Sequence, residues 1–104
     1  MKIFKIKRGD TFQIKPSLLK DDAGITVPLY DYVIISQIRD KSDVLIENLN
    51  ITINLNNTFE SNKVDTNTWP ICDIYCDVQL TKNGYTISSE TFTLRVEKDI
   101  SRNV

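Results

Sequence analysis

The side chains able to do chemistry in this chain are few, and their spacing limits what they can do. Histidine is absent, which removes the commonest general base, the commonest metal ligand and every His-containing triad. Serine and threonine are plentiful, but no His or evident buried Lys accompanies them as a base. Carboxylates pair up as Asp21 with Asp22, Asp40 with Asp43 and Asp73 with Asp77. A glycosidase needs two such groups facing one bond, whereas carboxylates on strands and turns are ordinarily solvated. The first two pairs, one of them beside Gly24, offer oxygens that calcium can use, but neither has the spacing of a dedicated calcium loop. Turn chemistry is therefore the reading for both. Three glycines leave no glycine-rich phosphate loop. No catalytic residue, metal ligand or cofactor site is assigned, and the chain is expected to be non-enzymatic.

The two cysteines do not make a pair. Cys72 and Cys76 lie in a run that alternates with period two. Cys72, Ile74, Cys76, Val78 and Leu80 fall on one face, and Asp73, Tyr75, Asp77 and Gln79 on the other. Four residues of strand span ~13 Å at ~3.3 Å each, and a disulfide requires Cα atoms within about 7 Å. Two thiols without a His also fall short of a four-ligand zinc site. Both cysteines are expected to be free thiols buried as small hydrophobes.

The elements that position these residues are legible from composition and punctuation. The 104 residues fit a single domain, 1–104, with residues 101–104 expected to fray. Fourteen Ile, ten Thr and seven Val against one Ala favour strands over helices. Lys2 to Lys7 reads as a first strand with Phe4 and Ile6 on one side. Arg8-Gly9-Asp10 spells the integrin-binding tripeptide, but serves structurally as the turn into Thr11 to Leu19, where Phe12, Ile14 and Leu18 are in phase. Asp21 to Gly24 is a turn, and Pro28 confines the next piece to an edge or loop. Tyr32 to Arg39 is apolar enough to be covered on both sides over part of its length.

After a turn at Asp40 to Asp43, Val44 to Leu49 is followed by a half-buried strand containing Ile51, Ile53 and Leu55. The polar interval from Asn56 to Thr68 has Phe59 and Val64 as anchors. Trp69-Pro70 closes that interval, with Trp69 expected to cap the core. Asn83-Gly84 marks a two-residue type I′ hairpin between the cysteine strand and a partner, Thr86 to Val96, with Phe92, Leu94 and Val96 inward. About seven short strands in some 100 residues indicate an all-β, antiparallel β-sandwich, with a small β-barrel as the alternative.

The surface supplies the remaining handles. Thirteen basic and fourteen acidic side chains give a net charge of −1, so no broad positive field exists to hold a nucleic acid. No run approaches the ~20 apolar residues of a membrane span. Lys5 and Lys7 interrupt any apolar signal-peptide centre near the start, so synthesis in a cytoplasm is expected. Lys2, Lys5, Lys7 and Arg8 form one basic stretch. Its plain reading is an edge strand that lysines protect from wrong pairing; its functional reading is a docking patch for an acidic partner. Tyr75 with Asp73, Asp77 and Gln79 forms the second candidate contact patch.

Several short motifs also recur in a familiar order: Lys7-Arg8-Gly9-Asp10-Thr11-Phe12, Gln37-Ile38-Arg39-Asp40, Thr68-Trp69-Pro70 before Asp73, and Ser89-Glu90-Thr91-Phe92 with Val96. The order resembles small virion-associated proteins of tailed bacteriophages and prophages, and spans nearly the whole chain. Where that family tends to carry Gly after Trp-Pro, Ile71 and Cys72 stand instead. The resemblance implies an immunoglobulin-like β-sandwich and a structural or adaptor role in the tail, baseplate or head–tail region of a virion. Its implied partners are other virion proteins or further copies of the chain, with neither nucleic acid nor membrane. A carbohydrate-binding or adhesion module, with Trp69, Tyr75 and Tyr85 as stacking platforms, is the alternative function.

Overall fold

The computed structural model describes residues 2–21, 23–89 and 91–98, and among them there are ten strands and no helix. In chain order these are β1 (Ile3–Lys7), β2 (Thr11–Phe12), β3 (Val33–Arg39), β4 (Leu45–Leu49), β5 (Ile51–Ile53), β6 (Phe59–Ser61), β7 (Val64–Asp65), β8 (Asp73–Lys82), β9 (Tyr85–Ser88) and β10 (Phe92–Glu97). The fold is all-β and mostly antiparallel, two layers over a shared core, consistent with a β-sandwich. Residues 101–104 lie outside the described residues, as do Asp22 and Glu90.

The longest strand, β8, organises the first layer. Its Ile74, Cys76, Val78 and Leu80 are buried, so the alternation in the sequence is the pleat of a strand with one covered face. One edge of β8 pairs with β3, beyond which lies β4. On its other edge the chain returns through Asn83 and Gly84, at φ of 49° and 83°, the two left-handed residues of a type I′ turn. That return strand breaks in two. The register along β8 slips by one residue between β9 and β10. At the slip the Ser89 amide donates to the Val78 carbonyl, and Ser89 Oγ accepts from the Val78 amide, both at 2.8 Å.

The first strand departs from the antiparallel expectation: β1 joins β10 in parallel. No hairpin links these two strands, so no tight turn dictates their direction. The sheet order is therefore β1-β10-β8-β3-β4, with β9 beside β8.

The second layer is less regular. The chain crosses into it at Asn50, between β4 and β5. Its ladders are β5 with β6 and β2 with β7, and residues 13–17 continue alongside β6 without regular pairing. Pro16 is the reason that Thr11 to Leu19 is not one strand: it has no amide to donate and shifts the phase, so that Leu19 packs inward and Leu18 is exposed. Likewise the strand expected to run to Leu55 ends at Ile53. Leu55 is wholly exposed at a hairpin tip, where Asn57 takes a φ of 61°. Asn57 also acts as a side-chain strand, accepting from the Leu29 amide at 2.8 Å and donating to the Val27 carbonyl at 3.1 Å. Those bonds hold Val27 and Leu29 in the core around exposed Pro28.

Trp69 is buried against Phe12 with ring centroids 5.6 Å apart. Burial holds it there, worth about 3 kcal/mol, because its bond to Glu47 is long at 3.5 Å. Two other expectations are corrected. Val33 and Ile35 are exposed, so β3 is covered on one side only. Cys72 is exposed rather than buried. The Trp69-Pro70 step bends the chain, with the Cys72 amide donating to the Pro70 carbonyl at 3.1 Å, and β8 starts only at Asp73.

Burial pushes the Cys76 thiol from 9.0 to about 11. The folded value lies above the unfolded one, so this contribution to stability is complete below pH 9 and fades as pH rises towards 11. Native protein should therefore titrate one thiol, Cys72, with a thiol reagent, and two after denaturation. Urea unfolding of Cys76→Val between pH 8 and about 11 should lack the part of the alkaline decline that this thiol causes.

Candidate protein-contact surface

Pairing in the first layer gathers side chains that are far apart in the chain. In β1, β3, β8 and β10 the odd-numbered residues point away from the core. One row across the sheet reads Lys5, Arg95, Asp73; the next reads Ile3, Thr93, Tyr75, Arg39, Leu45; a third reads Asp77, Gln37, Asn48. Lys5, Lys7, Asp73, Tyr75 and Asp77, two separate patches in the sequence, thus share one face. Lys7 is opposite Glu97, and Arg8 begins the turn that follows, its amide donating to the Glu97 carbonyl.

The charges on this face are held in place. Arg95 grips Asp73 with two bonds, Nε to Oδ1 at 2.9 Å and a terminal nitrogen to Oδ2 at 3.2 Å. The hydrogen bond from Arg95, aided by its charge, keeps the Asp73 carboxyl below its ordinary range. Arg39 donates to Gln37 Oε1 and to the Asp43 carbonyl, both at 2.9 Å. A shallow depression of about 280 Å³ lies among Gln37, Arg39, Asp43, Tyr75, Asp77 and Thr91. Cys76 borders it as a protonated thiol, a poor nucleophile at neutral pH. Exposed Ile3, Val33, Ile35 and Leu45 flank the charged rows on either side.

The turn aspartates do local work. Asp40 Oδ1 accepts from the Ser42 and Val44 amides, and Asp21 Oδ1 from the Ala23 and Ile25 amides. Among the described residues no three acidic or thiol groups converge on a point. Trp69, at 1% exposure, offers no platform for a sugar.

A second feature was not visible in the sequence. Between β1 and residues 12–15 the two layers splay apart around a groove of about 510 Å³, with Phe4, Ile6, Phe12 and Ile14 on its walls and Lys2, Lys5 and Lys15 around it. At one end the groove is pinned by the turn from β1 to β2. Gly9, at φ 106°, donates its amide to Thr66 Oγ1 at 2.9 Å, and that hydroxyl donates to the Asp10 carbonyl at 2.6 Å. Thr66 is fully buried. Its polar role, and the groove's existence, depend on residues more than fifty positions apart.

No protein-family model matches this chain, and no curated protein matches its sequence.

Two outcomes follow from these bonds. The folded Asp73 value lies below the unfolded one, so its pairing stabilises above pH ~4 and is lost as pH falls through the folded value. Asp73→Asn should flatten the acid limb of a stability–pH curve measured by urea unfolding. Thr66→Val leaves the Gly9 amide and Asp10 carbonyl unpartnered, and should cost about 2 kcal/mol, or roughly 10 °C in Tm by calorimetry.

Proposed function

We propose that this chain is a non-enzymatic structural or adaptor protein of a tailed-phage virion, an immunoglobulin-like sandwich that works by binding neighbouring virion proteins. The observation that carries the contact role is the uncovered outer sheet face. Exposed Ile3, Val33, Ile35 and Leu45 there surround ion pairs already fixed in place. Apolar side chains grouped on an otherwise polar face are a mark of association sites, and fixed charges add register and selectivity. The ordered motifs from Lys7 to Val96 support placing that role in the tail, baseplate or head–tail region. Neighbouring proteins, further copies of this chain included, would cover the face by surface complementarity.

Quantitative mass spectrometry of purified particles tests the reading. A fixed copy number in multiples of three, five or six is expected, and absence from the particle overturns the virion assignment. Ile35→Asp alters an exposed side chain and should leave Tm within a degree or two while lowering incorporation severalfold.

A further inference from the structure

We infer that the groove beside β1 receives an extended segment of a partner protein in which large apolar residues alternate with acidic ones, added as a further strand on the β1 edge. The inference rests on the contact role proposed above and names the chemistry of one partner.

The backbone supplies the first part. In the parallel pairing of β1 with β10, the Thr93 amide donates to the Lys2 carbonyl and the Arg8 amide to the Glu97 carbonyl. Even-numbered residues of β1 therefore spend their backbone groups on β10, and odd-numbered ones turn theirs to the open side. Lys7 is closed off there, because its amide donates to Asp10 Oδ2 at 3.2 Å and its carbonyl accepts from the Asp10 amide at 3.0 Å. Ile3 and Lys5 remain, and among the described residues nothing pairs with their outward N–H and C=O groups. An added strand can use them, as in β-augmentation.

The side chains supply the second part. A strand laid along Ile3 and Lys5 points alternate residues into the groove, against Phe4, Phe12 and Ile14, and the others outward beside Lys5. Phe4 is 48% exposed, an unusual state for a ring that packs edge-on against Phe92 at 5.7 Å. The groove wants apolar residues. Its surroundings want carboxylates: Lys2, Lys5 and Lys15 have no ion-pair partner among the described residues, whereas Arg39, Lys82 and Arg95 do. The same charges disfavour a second copy at this edge, since pairing β1 with itself brings Lys2, Lys5 and Lys7 against like charges.

Selection of a random displayed peptide library against the intact chain tests this. The expected winners alternate acidic with Leu, Ile or Phe residues, and their synthetic forms should shift the Ile3 and Lys5 amide signals in a nitrogen-15 NMR titration. Lys15→Glu lies outside the strands and should weaken such a peptide about tenfold. Ile3→Pro keeps every lysine and the bonds to β10, removes one outward amide, and should abolish binding with the melting temperature retained. Winners without acidic residues, indifference to Lys15→Glu, or no enrichment would each overturn the inference. So would decanoate filling the groove while no peptide is enriched, which would make it a site for amphiphiles. These measurements use the isolated chain. A protein present in the particle but unable to bind the peptides refutes this inference alone, and one that binds them but is missing from the particle refutes only the virion assignment.

Discussion

The rest of the structure depends on β8 being paired along both edges. A ten-residue strand between two neighbours satisfies its backbone laterally, and its alternate side chains then fill one face. Ile74, Cys76, Val78 and Leu80 form a continuous ridge that reaches both clusters of the core. The outer partners follow from this ridge. β3 and β10 must place Ile38 and Leu94 against it, and that fixes their register to within one residue. The bulge at Ser89 shows how firmly that demand is imposed. Rather than lose the inward phase of Phe92 and Leu94, the chain gives up one regular pair and uses a serine side chain in place of a carbonyl.

The second layer lacks such a strand and is assembled differently. Its extended pieces are short, so many of their backbone groups find no ladder. Thr66, Ser61 and Asn57 make up the deficit with side-chain bonds: Thr66 to the Gly9–Asp10 turn, Ser61 to the Ile14 amide, Asn57 to both sides of Pro28. Among the described residues no buried side-chain nitrogen or oxygen lacks a partner. A layer built this way is narrower than the sheet it covers. On the β4 side the chain itself crosses between layers at Asn50; on the β1 side, away from the Thr66 clamp, the layers part. The groove is the geometric remainder of that mismatch.

Function follows from which surfaces the packing leaves uncovered. In β3 and β8 the even-numbered side chains turn inward and the odd-numbered ones outward, and Ile3 of β1 and Arg95 of β10 share that outer side, so the ion pairs and exposed apolar residues of these strands are displayed together. The chain has no histidine, and burial holds the Cys76 thiol protonated at neutral pH. Among the described residues, the packing leaves an exposed sheet face and, beside it, an unpaired strand edge at β1.

Much of the fold was legible because it is periodic or punctuated. β1, β3, β4, β8 and the Asn83-Gly84 hairpin are local: a period of two, or a residue pair with positive φ, marks each within about ten positions. The sequence also determined the inward faces of β8 and β10, and the absence of a Cys72–Cys76 bridge; that only one face of β3 is covered was left to the tertiary structure. It misjudged Cys72, Leu55 and Leu18, because each continues an alternation beyond the end of its strand, into the bend beside Pro70, the hairpin tip at Asn57 or the phase shift at Pro16. Only tertiary structure decided the parallel placement of β1, the meeting of Lys5 with Asp73 across Arg95, the burial of Thr66, and the groove. Those depend on pairs tens of residues apart, and a period of two says which way a side chain points but not which strand will lie beside it.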